Sequence, residues 1–263
     1  MILGMGESVR RLLLILLIAF LGNQSVSAQC TKWIEFAGRA DLRVVFQGTV
    51  GDRPVRMMLH LNEAAGQFGG SYGYNNQLGS LELVGKMQPN DAGIRLQEHG
   101  SDGRSTGTFD LQFFAPEQSE QQATHGCSSL TGTWTSPGEK KSLYVSLHVA
   151  GELNPANDAQ RQLNEVAAFK LRKAMLEGNH ATFASLLNYP FISEDRNHQL
   201  TYWENANDVI KNYSEIVKFS VNDIQSAVPH ALLSSPSGSE FMGRSIDMSD
   251  GKVTRICEST CSM

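Results

Sequence analysis

Residues 42–61 read LRVVFQGTVGDRPVRMMLHL, and the period of this stretch decides the fold of the first half of the chain. Leu42, Val44, Phe46, Gly48 and Val50 share one face of an extended segment, and Val55, Met57, Leu59 and Leu61 share one face of the next. Between them Gly51, Asp52, Arg53 and Pro54 supply the residue types of a tight turn. Successive side chains of a strand point to opposite faces, so a period of 2 marks one buried face. The same period returns over residues 68–74, 81–87, 94–98, 106–114, 130–135 and 142–149. Eight short strands joined by turns predict an all-β antiparallel meander, and closure into a barrel removes its two unpaired edges.

A glycine two residues before an aromatic recurs as Gly70 with Tyr72, Gly107 with Phe109, and Gly132 with Trp134. Glycine within a strand permits strong coiling or the close approach of a ring from the neighbouring strand. The aromatics are therefore read as core, with a ligand platform of Tyr72, Tyr74 and Trp134 as the lesser reading.

The period changes after Asn157. The turn-forming residues 151–157, GELNPAN, are expected as a linker between a β-barrel-like domain at 29–150 and an α+β domain at 158–263. Asn157 or Asp158 can cap a helix with Leu163, Val166, Ala167, Leu171, Ala174 and Met175 on one face, ended by Gly178. A short helix carrying Phe183, Leu186 and Leu187 follows, and Tyr189, Pro190, Phe191 and Ile192 start a strand. A third helix over 205–217 places Ala206, Val209, Ile210, Tyr213 and Val217 inward, and a fourth starts near Asn222. Strands are expected at 231–234, 240–248 and 252–257, with Ser249, Asp250 and Gly251 as a hairpin turn. Helices followed by sheet give an α+β order.

The N-terminal residues carry an address. Arg10 and Arg11 precede an apolar run from Leu12 to Leu21, and small residues follow, with Val26 and Ala28 at the positions a signal peptidase reads. The run is shorter than the roughly 20 residues a membrane-spanning helix needs. Residues 1–28 are therefore expected as a cleaved signal peptide and the mature chain in the periplasm or secreted medium. Gln29, standing before Cys30 where a lipobox needs a small residue, argues against a lipid anchor. Loss of Glu7, Arg10 and Arg11 reduces 22 basic and 27 acidic residues to 20 and 26, a formal charge of −6. That balance excludes a nucleic-acid partner, which requires clustered Lys and Arg.

All four cysteines follow the cut. An even count in an oxidising compartment favours disulfides, with Cys30–Cys127 and Cys257–Cys261 the expected pairing. His60, His99, His125 and His148 lie at irregular intervals without metal-ligand spacing, and His60 and His148 are read as surface positions. No nucleophile elbow, P-loop, dinucleotide fingerprint or zinc helix is present, so no cofactor is expected.

The strings Gly70-x-Tyr72-x-Tyr74, Leu81-x-Leu83-x-Gly85, Leu96-x-Glu98, Gly107-x-Phe109 and Gly132-x-Trp134 resemble small barrel modules of exported bacterial proteins. In the second half, the long first helix, Gly178-Asn179, the turn Asn188-Tyr189-Pro190-Phe191, a helix ending near Tyr213 and Phe241-x-Gly243 before Asp250-Gly251 resemble the nuclear transport factor 2-like fold. That resemblance implies helices packed on a curved antiparallel sheet around a conical pocket, and pairing of two copies through their sheets as a homodimer. Tyr189, Phe191, Trp203 and Tyr213 are the pocket aromatics it suggests. Glu194, Asp195, His198, His230 and Asp247 are the polar groups of this half. Glu194 and Asp195 sit with Arg196 and Asn197 in what reads as a solvated loop, and no acid and base pair emerges from their spacing, so no catalytic residue is assigned. A module that binds a small ligand or a protein is the first functional reading. An enzyme using the cone with Asp195 or Asp247 as its base is the second, and an inhibitor of a cell-wall hydrolase acting through the polar stretch 117–126 is the third.

Overall fold

The alternation read from residues 44–59 forms the first hairpin of a closed barrel in the computed structural model, which describes residues 43–62, 67–88, 93–114, 129–153, 155–235 and 238–261. Strands β1 (Arg43–Val50), β2 (Arg53–Asn62), β3 (Gln67–Tyr74), β4 (Leu81–Met87), β5 (Gly93–His99), β6 (Ser105–Phe114), β7 (Ser129–Thr135) and β8 (Ser142–Leu153) pair in chain order. Every pair is antiparallel, and β8 returns to β1 to close the wall. The interior is filled by side chains of the inward face, among them Phe46, Met57, Phe68, Leu83 and Phe109, all shielded from solvent. This barrel is a packed core and not a vessel. Its glycine repeat has a steric cause at Gly107, where a Cβ would fall 2.2 Å from Nε1 of Trp134 on the adjacent strand.

Two residues of the outward face, Val45 and Met58, are also buried. They are covered by Ala231 and Leu233 from the second half of the chain, in a small core that also holds Leu153. Part of the expected linker belongs to this junction. β8 runs on to Leu153, opposite Arg43, and Pro155–Asn157 forms a 3-10 turn leading directly into a helix.

The second half contains α1 (Asp158–Glu177), α2 (His180–Ser185), α3 (Ala206–Lys211), α4 (Tyr213–Ile216) and α5 (Val221–Ser226), with β9 (Leu187–Glu194), β10 (Leu200–Trp203), β11 (Leu233–Ser235), β12 (Gly238–Phe241), β13 (Ile246–Ser249) and β14 (Lys252–Cys257). The sheet order is β10-β9-β14-β13-β12-β11. The expected antiparallel sheet is mixed, because β9 and β14 run parallel. After β9 and β10 the chain crosses over through α3, α4 and α5 and returns as a meander whose last strand lands beside β9 in the same direction, a pairing that only a long connection permits.

Three further expectations are corrected. The buried face of α1 is rotated from the one expected: Leu163 and Val166 are exposed, while Arg161, Asn164 and Arg172 are buried beside Ala167, Leu171, Ala174 and Met175. Each of these buried polar groups has hydrogen-bond partners. Asn164 donates to Ser239 Oγ at 2.9 Å and accepts from the Gly251 N–H at 2.8 Å, locking α1 to the sheet. Arg172 donates to the carbonyls of Ile224 and Gln225, both at 2.8 Å, capping the end of α5. The helix expected over 205–217 breaks at Asn212 into α3 and α4. The strand expected over 240–248 is two strands, because Met242, Gly243 and Arg244 turn at φ 54°, 65° and 74°.

Candidate ligand-binding site

A cleft of about 930 Å³ opens where the outer wall of the barrel faces the second sheet. Alternation along the strands builds one side. With Val55 and Met57 turned into the barrel core, Pro54 and Arg56 of β2 point outward, and Gln47 and Thr49 of β1 and His148 and Ala150 of β8 complete this wall. The facing wall is made by Phe219, Asp223, Ser226 and Ala227 around α5, Glu240 of β12, and the turn at residues 242–245. Junctions of this kind are frequent sites of small-molecule binding.

The turn at the rim is fixed from behind. The Cys257–Cys261 disulfide forms as expected. The N–H of Cys257 donates to the Ser245 carbonyl and that of Cys261 to the Arg244 carbonyl, both at 2.9 Å. Met242 and Arg244 hold left-handed backbone conformations that cost a non-glycine residue roughly 1 kcal/mol or more each. Glu258, within the disulfide loop, lines the cleft and bonds Lys218 at 2.9 Å and Arg196 at 2.6 Å. The Lys218 hydrogen bond is the main cause of a carboxyl pKa below the ordinary range. The Cys30–Cys127 pairing and the stretch 117–126 lie outside the described residues.

The charges of the cleft are unequally satisfied. Glu240 holds Arg244 at 3.1 Å, Asp223 belongs to the capping box of α5 with Ser220, and Gln47 bonds His148 at 3.1 Å. Arg56 differs. Its Nε is fully enclosed without a hydrogen-bond partner, and among the described residues its guanidinium forms no salt bridge. Desolvation lowers its pKa from the ordinary arginine range to about 10, opposed by the more distant charges of Glu165 and Glu240. Glu165 is itself engaged by Arg161 at 3.2 Å and by His230 at 3.5 Å.

The pocket aromatics suggested by sequence lie elsewhere. Phe191 is wholly buried in the second core, and Tyr189, Trp203 and Tyr213 pack against it. Tyr189 donates to the Ala184 carbonyl at 2.9 Å and Trp203 to Ser193 Oγ at 2.8 Å, while the Tyr213 ring stacks on His180 at 3.9 Å.

Of the polar groups, Glu194 is corrected from solvated loop to buried carboxylate, only 3 % exposed. It is the last residue of β9, paired with Arg255 and with His198 Nδ1 at 2.5 Å. Asp195 accepts from the Gln199 N–H at 2.9 Å and the Asn197 N–H at 2.8 Å, which lowers its pKa. His230 lies apart from these, its Nε2 3.3 Å from Ser71 Oγ of the barrel. Asp247 sits on β13, opposite Arg255.

A second polar cluster closes one end of the barrel interior. Buried Glu98 accepts from Tyr72 at 2.5 Å, Thr106 at 2.6 Å and Trp134 at 2.7 Å, and Tyr72 lies 3.3 Å from Tyr74. Burial and the bond to Glu98 push the Tyr72 phenol far above its ordinary pKa. These groups satisfy one another over a filled core, so the cluster serves as a plug.

Arg56 carries no sequence signal beyond an outward position on a strand. Comparison with protein-family models, curated proteins and solved structures finds no match to this chain.

Proposed function

We propose that the protein is an exported binding module of two domains, the barrel and an α+β cone of nuclear transport factor 2-like type, and that it holds a small ligand in the cleft at their junction. The observation that carries this reading is the cleft itself. Its volume of about 930 Å³ suits a drug-sized molecule. Its lining mixes apolar surface from Pro54, Ala150, Phe219 and Met242 with polar groups from both walls. The strained turn held by Cys257 and Cys261 supports the same reading, since costly backbone is retained where it shapes a site. The hydrophobic run at 12–21 supports export.

Native mass spectrometry of the protein isolated from its own host tests the proposal. A retained adduct of small-molecule mass is expected, and Ser226→Trp, which fills the cleft from an exposed position on α5, is expected to abolish it. Bare polypeptide mass in both proteins would contradict the proposal.

A further inference from the structure

The cleft's imbalance of charge specifies what it binds, on the reading that it is a ligand site. Of the two arginines in its lining, Arg244 is held by Glu240 at 3.1 Å. Arg56 has an enclosed Nε without a partner and, among the described residues, no salt bridge. A desolvated guanidinium without an anion is costly, and a planar two-oxygen anion matches its fork of parallel donors. The same cleft is lined by the carboxylates of Asp223, Glu240 and Glu258, which outnumber its arginines and disfavour a doubly charged head group. Beside Arg56 the barrel wall offers Pro54 and Ala150, and the facing wall offers Phe219 and Met242.

We infer that the cleft is a receptor for a monocarboxylate with an apolar tail, its carboxylate seated on Arg56 and its tail along Pro54, Ala150, Phe219 and Met242. A free acid of eight or so carbons satisfies both halves of the site. A phosphate monoester of the same length satisfies the apolar half only, because its second charge meets the acidic rim.

Isothermal titration calorimetry with octanoate, octan-1-ol and mono-octyl phosphate, on the full protein, separates the alternatives. Octanoate is expected to bind at least about tenfold more tightly than the alcohol, the scale of one charge-assisted hydrogen-bonded pair. Octyl phosphate is expected to bind no more tightly than octanoate. Arg56→Met should bring octanoate down to the level of the alcohol. Arg56→Lys, which keeps the charge and loses the fork, should fall between, and it carries the test if Arg56→Met lacks the circular dichroism of the folded protein. Equal affinity for octanoate and octan-1-ol, octanoate binding indifferent to both Arg56 variants, or tighter binding of octyl phosphate would overturn the carboxylate assignment while leaving a ligand-binding cleft. Octanoate binding unaffected by Ser226→Trp, or no binding of any octyl compound, would overturn the cleft as a ligand site and the assignment with it.

Discussion

Replacing Arg56 with methionine is expected to stabilise the free protein while removing its carboxylate receptor. The magnitude follows from the desolvation of the guanidinium. A fall in pKa from the ordinary arginine value to about 10 corresponds to roughly 3 kcal/mol at about 1.36 kcal/mol per decade. Arg56 as a whole remains partly exposed, so solvent screening reduces this to about 2 kcal/mol. The sign is that of a buried cation. The charged form is favoured in the unfolded chain, so the penalty is full below about pH 10 and is relieved only as pH rises above it. At neutral pH the whole cost is present, and methionine fills a similar volume without it. A gain of about 2 kcal/mol raises the midpoint of thermal unfolding by roughly 4–8 °C for a protein of this size. Differential scanning calorimetry at pH 7 measures it directly, with urea unfolding as a second readout. A loss of 1 kcal/mol or more would refute the reasoning, since it would mean that Glu165 and Glu240, at their longer range, already satisfy the cation. Octanoate at one fixed concentration should raise the wild-type midpoint by more than that of Arg56→Met, narrowing the gap between them.

Three other expectations rest on separate parts of the molecule. Gly107→Ala places a Cβ 2.2 Å from Trp134 Nε1 and must displace the indole from Glu98, so a loss of about 2–3 kcal/mol and a red-shifted tryptophan emission are expected. Asn164→Leu removes the bonds to Ser239 and Gly251 from a fully buried position, and urea unfolding should show a loss of about 2–4 kcal/mol. Cys261→Ser opens the Cys257–Cys261 loop, whose closure is worth about 2 kcal/mol, and frees the turn at 242–245. Calorimetry should then show octanoate affinity lowered several-fold, with faster amide exchange at residues 242–245.

The barrel was legible in the sequence because its signal is local. Val44, Phe46 and Val50 point inward by alternation alone, and the tight turn at 51–52 fixes the register to β2. Gly178 ends α1 for an equally local reason, its φ of 61°. What was missed depends on contacts between distant segments. The rotated face of α1 is set by Asn164 reaching Ser239 and Gly251, and Arg172 reaching Ile224, none of which periodicity can reveal. Glu194, in sequence the second of seven consecutive polar residues from Ser193 to Gln199, is buried because β14 pairs with β9 and brings Arg255 and Cys257 beside it. The cleft is the extreme case. Its walls come from β1, β2 and β8 on one side and from α5, β12 and the 242–245 turn on the other, so Arg56 acquires its meaning only when the two halves of the chain meet.

A crystal structure of the protein grown with octanoate places the ligand without inference. The carboxylate is predicted within hydrogen-bonding distance of the Arg56 guanidinium, with the alkyl chain between the barrel wall and the turn at 242–245. Octanoate density elsewhere, among Tyr189, Trp203 and Tyr213 or at the Glu98 end of the barrel, with the Arg56 cleft holding solvent alone, would contradict it.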